Sequence, residues 1–253
     1  MAAQLATPQA APVHRPAFAT PSRPGPARGT ATILQLPGGA PARLRPEADP
    51  IDALSQTVSV ARDRAVFHQG DRADAVYVVA DGVIRLCKLL PDGRRQIVGF
   101  VQAGDFMGLA SGDSHLYTAE AVTAATVRRL PRARLEALME EDAALRRRLM
   151  LVTARELVAA QEQMLLLGRK NAREKICSFL IALSRRRERT HGDGTRVHLP
   201  MSRADIADYL GLTIETVSRT ISKLKADRLI RLIEGNRVDL LDRVRITDLA
   251  ECA

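Results

Sequence analysis

Residues 201–225, MSRADIADYLGLTIETVSRTISKLK, leave few options for the chain that contains them. Ser202 stands where an N-cap oxygen is needed, and Asp205 three residues on suits the positive end of a helix. Ile206, Ala207 and Leu210 give that helix an apolar face. Gly211 supplies a residue free to take a positive φ. Leu212 anchors the turn and Thr213 caps a second helix. On that helix Val217, Ile221 and Leu224 recur at the three-and-four spacing of a buried stripe. Glu215, Ser218, Arg219 and Ser222 are left facing out. Two short helices joined this tightly, the second with a polar outer face, suit entry into the major groove of DNA.

The outward groups carry chemistry that fits base edges. A guanidinium such as Arg219 can donate two hydrogen bonds to guanine O6 and N7. A carboxylate such as Glu215 can accept from cytosine N4, and a hydroxyl such as Ser218 can bond a base or touch a thymine methyl. Arg203, Lys223 and Lys225 are placed for phosphate contacts, which position a helix without reading sequence. Ser202, Thr213, Thr216 and Ser222 complete the expected phosphate-contacting set. The bland alternative is a solvated face on a core helix, with Glu215 and Arg219 as an i,i+4 ion pair.

Charge agrees with the DNA reading. The 253 residues carry 38 Lys and Arg against 29 Asp and Glu, a formal net charge of +9. That favours a polyanionic partner, nucleic acid before an anionic membrane. No apolar run approaches the ~18 residues of a membrane span. Trp is absent and aromatics are 3% of the chain, so its cores must be built from Leu, Val, Ile and Ala. Cys87, Cys177 and Cys252 are far apart in sequence, which argues against a disulfide framework and fits a reducing cytoplasm. Their spacing resembles no zinc or iron–sulfur site.

The chain divides into four stretches. Residues 1–50 hold ten of the 13 prolines and show no apolar periodicity, so a disordered tail is expected. Its acid-poor, Arg-containing character is also that of an organelle presequence, but the prolines break any amphipathic helix. Residues 51–141 read as a β-roll. Candidate strands are 58–60, 65–67, 75–79, 83–90, 95–100 and 126–130, with turns at Asp81-Gly82, Asp92-Gly93, Gly70, Gly104 and Gly108. Pro131 opens a short helix over 132–139.

Residues 142–168 read as one long helix. Met150, Thr153, Leu157, Ala160, Met164 and Leu167 alternate at spacings of three and four, the narrow seam of a coiled coil. The alternative is a helix packed on its own domain. Arg146, Arg147, Arg148, Glu156, Glu162 and Gln163 lie off the seam and are expected in solvent. Residues 169–253 form the last unit. Gly168-Arg169-Lys170 makes a hinge, and Asn171 caps a helix over 172–185 with Ile176, Phe179, Leu180 and Leu183 on its apolar face. A polar loop over 188–195 leads to a strand over 196–199. After the helix pair, 231–233 and 237–241 flank Glu234-Gly235-Asn236 as a hairpin, giving a winged helix-turn-helix. The predicted fold class is therefore α+β: β-roll, dimerisation helix, winged helix-turn-helix.

With these motifs in order, the chain resembles a Crp/Fnr-family transcription regulator over roughly residues 50–245. The segments KLLPDGRRQIVGFVQAGDFMG (88–108), LLLGRKNAREKICSFL (165–180) and LTIETVSRTISKLK (212–225) are similar to the FixK-like branch. The resemblance implies that Glu215, Ser218 and Arg219 read the TTGA element of a palindrome like TTGAT-N4-ATCAA. A Crp-type reader would place Arg where Ser218 stands. It also implies a cytoplasmic bacterial homodimer that binds double-stranded DNA and meets RNA polymerase. Its genes would be microaerobic, respiratory, denitrification or nitrogen-fixation genes.

The sensor half departs from the family's known effector sites. In the nucleotide-binding branch a Glu and an Arg hold cyclic AMP. The matching stretch here, GDFMGLASGDSHLYTAEAV (104–122), has no Arg and only the late Glu120. A cyclic phosphate would meet Asp105 and Asp113 instead. The oxygen-sensing branch needs several N-terminal cysteines, and the first 86 residues have none. His68 and His115 are candidate haem ligands, though a lone loop His is usually surface. Cys87 reads as core. Cys177, among Arg173, Lys175 and Arg185, is either a thiol of lowered pKa and redox-sensitive, or a small buried residue. The expectation is an activator without bound cofactor or metal. A redox-, haem- or nitric-oxide-responsive regulator of the same fold, a cyclic-nucleotide-binding regulatory protein or a nonspecific architectural DNA binder is the alternative. No catalytic domain follows the roll, so an enzyme is not expected.

Overall fold

The computed structural model describes residues 50–109 and 112–251. The proline-rich tail lies outside these residues except for Pro50, as does Cys252. The architecture is α+β. A short helix α1 (Pro50–Leu54) precedes eight strands: β1 (Gln56–Val60), β2 (Ala65–Phe67), β3 (Ala75–Asp81), β4 (Val83–Leu89), β5 (Arg95–Gln102), β6 (Phe106–Met107), β7 (Thr118–Ala121) and β8 (Ala125–Pro131). Helices α2 (Arg132–Glu141), α3 (Ala143–Arg169) and α4 (Ala172–His191) follow. Then come β9 (Arg196–His198), α5 (Arg203–Leu210), α6 (Ile214–Ala226), β10 (Ile230–Ile233), β11 (Arg237–Leu240) and α7 (Arg243–Glu251).

The roll is two four-stranded antiparallel sheets, in the orders β1-β8-β3-β6 and β2-β7-β4-β5. Phe67, Tyr77, Val79, Ile84, Leu86, Val101 and Val127 share the core between them. Strand β3 is buried on both faces. Ala75, Tyr77 and Val79 join that core, while Val76 and Val78 pack with Leu135, Leu145 and Leu149 of the helices behind it. The β3–β4 turn requires glycine. Gly82 has φ 89°, and a Cβ there would lie 2.6 Å from the Ala124 carbonyl oxygen.

The second sheet has an outer face that decides the rest of the fold. The β4–β5 register shifts between Leu86 and Cys87, so that Leu86 opposes Gly99 and Cys87 opposes Ile97. The extra residue, Val98, turns Ile97 to the same face as Phe100. Cys87, Ile97 and Phe100 then belong to a second core with Phe179, Tyr209 and Leu210. Cys87 is thus buried as expected, but on the outer face of the roll rather than inside it.

Helix α4 shows how that second core is filled. Asn171 and Glu174 form a capping box at its start, and Gly192 ends it with φ 78°. It runs six residues beyond the expected end at Arg185, because nothing before Gly192 breaks it. The expected loop over 188–195 is correspondingly shorter. Every residue from Lys175 to Ser184 is buried, rather than one apolar face alone. The cause is α7, absent from the sequence expectation, which covers the side of α4 that the periodicity leaves polar. The Lys170 ammonium ties the two, donating to Ser178 Oγ at 2.9 Å and to the Ala250 carbonyl.

Helix α3 has one covered edge and one bare edge. Asp142 caps it, accepting from the amides of Ala144 and Leu145. Leu145, Leu149, Ala159 and Leu166 are buried. The seam residues Met150, Thr153, Leu157, Ala160 and Met164 are exposed, and Leu167 is partly covered. Leu151, Val158 and Leu165 widen the bare stripe. Four of the residues expected in solvent, Arg148, Glu156, Glu162 and Gln163, are partly covered. Gln163 Nε2 donates to the Tyr209 carbonyl at 3.0 Å. Glu156 is partly buried, and burial together with Asp105 pushes its carboxyl up to about 7.

Candidate nucleic-acid interface

The helix pair is built as its sequence dictates. Ser202 Oγ accepts the Asp205 amide at 3.0 Å, and Asp205 Oδ2 accepts the Ser202 amide at 3.0 Å, a complete capping box. Gly211 is left-handed with φ 61° and ψ 46°, which ends α5 and aims the chain into α6. Thr213 Oγ1 accepts the Thr216 amide at 3.2 Å and caps α6.

Val217, Ile221 and Leu224 are buried under α6, against Ile206, Ala207 and Leu210 of α5. On the opposite side Glu215, Ser218, Arg219 and Ser222 are all exposed, on one face. Lys223 and Lys225 flank them in the last turn, where the helix dipole favours a cation. The Glu215 carboxyl is held below its usual range by its own backbone amide and the Thr213 hydroxyl, with Arg219 adding a smaller pull. It therefore stays an ionised acceptor.

The wing is the antiparallel pair β10–β11, with β9 on the far side of β11. Gly235 and Asn236 both take positive φ at its tip, as Glu234-Gly235-Asn236 predicts. Arg62, Ser202, Arg203, Asn236 and Arg237 line a groove between the roll, the start of α5 and the wing. Arg62 and Arg237 were not singled out from sequence. They come from remote parts of the chain, and only the fold brings them beside Arg203.

One expected phosphate contact is corrected. Both the amide and the hydroxyl of Ser202 donate to Asp205 Oδ2, the hydroxyl at 2.8 Å. Ser202 has no donor left for a phosphate oxygen, so its role is to cap α5. Thr213 and Thr216 share a hydroxyl–hydroxyl bond at 3.0 Å, and the other O–H of the pair serves the Glu215 carboxylate. Arg203 is half-buried.

Two family models match the chain, a cyclic nucleotide-binding domain over residues 57–142 and a Crp-like helix-turn-helix domain over residues 174–249. The nitrogen fixation regulation protein FixK of Bradyrhizobium diazoefficiens is 45% identical over 197 residues, 78% of this chain and 83% of that protein. The chain belongs to the Crp/Fnr family of transcription regulators. The transcriptional activatory protein AadR of Rhodopseudomonas palustris is 44% identical over 200 residues, 79% of this chain and 83% of the relative. The structure of FixK2 from Bradyrhizobium japonicum superimposes with a TM-score of 0.73 at 40% identity, covering 79% of this chain and 98% of that one. This Crp/Fnr chain is a DNA-binding regulator of FixK-like type, not an enzyme.

Against that family background the sensor half takes on definite roles. Asp105, which opens the stretch corresponding to the nucleotide cassette, does not face an open cavity. Its carboxylate pairs with Arg186 of α4 at 2.9 Å and accepts the Gln102 amide at 2.8 Å. Burial nevertheless outweighs Arg186 and pushes it up to about 6. A cyclic phosphate would meet a buried acid and no cassette Arg, so these residues do not suit one. His115 is not a surface residue. It is 2% exposed and stacks on Phe67 with ring centroids 3.7 Å apart, a packing position rather than an open ligand. His68 is exposed beside Asp71. No helix among the described residues is long and apolar enough to cross a membrane.

Of the two readings of Cys177, the geometry favours the small buried residue. The thiol is fully buried in α4, and burial pushes its pKa up to about 11, against a weaker lowering by Arg173. A thiol in this setting is a core residue, the opposite of an activated one. Cys87 is likewise raised to about 11, chiefly by burial.

Sequence reasoning also missed how α5 is held. Arg95 Nη2 donates to Asp205 Oδ1 at 2.9 Å, and Arg95 Nε to Asp208 Oδ2 at 2.9 Å. Gln96 Nε2 donates to the Asp208 carbonyl at 2.6 Å. Arg85 reaches Asp205 at 3.4 Å while its Nε bonds Glu120 at 2.8 Å. The only sequence signal was a pair of acids on α5 and one arginine on each of β4 and β5, with nothing to match them.

Proposed function

We propose that the chain binds, as a homodimer without a small effector, to a TTGAT-N4-ATCAA-like palindrome. In this reading Arg219 takes the guanine, Glu215 the cytosine N4 of the facing strand, and Ser218 a neighbouring base edge. The observation that carries it is the single exposed face of Glu215, Ser218 and Arg219, held by the buried stripe beneath. Arg203, Thr213, Thr216, Ser222, Lys223 and Lys225 contact phosphates, joined by Arg62 and Arg237 along the groove.

The bare stripe on α3 supports pairing with a second copy. Met150, Leu157 and Met164 are each more than 60% exposed and fall seven residues apart, the repeat of a coiled-coil seam. Two-fold pairing there would present two reading helices to the two halves of a palindrome. The working division is a roll over 51–141, a dimer helix over 142–168 and a DNA-binding unit over 169–253. The protein acts in the bacterial cytoplasm as an activator that engages RNA polymerase. The names of the FixK relatives support nitrogen-fixation targets, and the family resemblance adds microaerobic and respiratory genes.

The test is a binding titration of purified protein on the palindromic duplex, in air and without ligand. A shift at nanomolar protein, abolished by scrambling TTGA, is expected. Binding that appears only with cyclic AMP, haem or reductant overturns the effector-free reading.

A further inference from the structure

We propose that Arg85, Arg95, Asp205 and Asp208 form a latch that sets the orientation of the reading helix on the roll. The inference rests on the operator and dimer reading above and deepens it, by naming what takes the place of an effector.

The geometry is specific. The β4–β5 hairpin grips α5 at three positions, Asp205, Asp208 and Tyr209. Asp205 takes Arg95 and Arg85, Asp208 takes Arg95 through its side chain and Gln96 through its carbonyl, and Tyr209 sits on Phe100 with ring centroids 5.3 Å apart. Phe179 of α4 closes the aromatic group at 5.7 Å from Tyr209. Gln163 of α3 bonds the Tyr209 carbonyl, so the dimer helix holds α5 as well. Asp205 is divided between two tasks. Oδ2 serves the capping box and Oδ1 the arginines, so the carboxylate that starts α5 is also the one that docks it.

Nothing in this contact uses α6. Its reading face stays open while its partner helix is fixed, and the shared apolar seam makes the two move together. The docked state is therefore competent to bind. A flexible α5 would leave each half-site contact intact but would let the two reading helices of a dimer wander from the spacing of one helical turn. Affinity for a palindrome would then fall by the fraction of molecules in the right arrangement. Charged side chains suit this task. Their loss frees an orientation without emptying the core beneath.

The test uses full-length protein on two duplexes, the palindrome and a single half-site, with melting temperature and sedimentation as controls. Asp208 and Arg95 are the positions of choice, because Asp205 also caps α5. Asp208→Ala and Arg95→Ala are each expected to lower the palindrome-to-half-site affinity ratio by about tenfold. The double variant should fall no further, and Asp208→Glu should retain most of the ratio. The singles should also tolerate a spacer changed by one base pair better than the wild type. An unchanged ratio in both singles overturns the latch. So does an equal loss on both duplexes, which is what simple destabilisation would give. Arg219→Ala on the same duplexes separates the two ideas: retained operator preference there overturns the reading face, not the latch.

Discussion

Helices α5 and α6 are neighbours in one motif and meet opposite surroundings. α5 is clamped by the roll through Asp205, Asp208 and Tyr209, with buried residues on nearly every side. α6 buries one stripe and leaves Glu215, Ser218, Arg219 and Ser222 bare. The same division recurs on α3, whose Leu145, Leu149 and Leu166 are covered while Met150, Leu157 and Met164 are not. The lesson is that a regulator of this shape spends its closed surfaces on fixing geometry within the chain. Its open surfaces are left for partners, in the proposed reading a second copy and DNA.

The largest expected effect lies on the open side of α3. Leu157→Asp would place two carboxylates in a dimer seam, where an unpaired charge is far costlier than in water. Sedimentation should show monomer at micromolar protein, and palindrome binding should drop to the half-site level. A dimer that persists would mean α3 pairs by another face. On the closed side, Phe100→Ala removes a fully buried ring shared by the roll and α5, at a cost of about 3–5 kcal/mol. Calorimetry should show one transition moving down. Two separated transitions would break the picture of a common core.

Arg219→Ala and Lys225→Ala sharpen the contrast within α6. The first should lose ~1–3 kcal/mol of discrimination at the guanine. The second should weaken all sequences alike and reduce the salt slope by about one unit. Equal loss for both on operator and scrambled DNA would remove the base-reading assignment.

The smallest effect is a pH dependence at the buried edge of α3. Glu156 has its pKa raised from 4.5 to about 7, first by burial and then by Asp105. The fold thus favours its protonated form. That contribution is fully present below 4.5, declines as the unfolded state ionises, and is gone above about 7. Glu156→Gln should therefore leave stability nearly unchanged at pH 5 and raise it at pH 8 by on the order of 1 kcal/mol, read from melting curves at the two pH values. A gain at pH 5 equal to that at pH 8 would show that the carboxyl is not titrating there.

Much of this was legible in local pattern. The α5–α6 pair, its caps and its outward residues followed from spacing alone, as did the exposed stripe on α3 and the glycine turns. Strands β6 and β7 were missed because one has two residues and the other, TAEA, buries only alanines. Helix α7 was missed although Asp242 and the spacing of Ile246, Leu249 and Ala250 carry a faint signal. Cys177 was ambiguous for a different reason. Basic neighbours in sequence say nothing about whether the sulfur reaches solvent, and here it does not. Ser202 was assigned one task too many, because a hydroxyl has a single hydrogen to give and Asp205 takes it.

The sequence by itself determined the caps of α5 and α6 and which side of α6 is polar, since those depend on residues within a turn or two of each other. The tertiary structure alone decided which acids meet which bases. Asp205 and Asp208 find Arg85 and Arg95 across more than a hundred residues, through a one-residue bulge at Val98 that turns the outer face of the roll toward α5. No local periodicity encodes a partner that distant, because periodicity specifies a face and only folding specifies what the face meets.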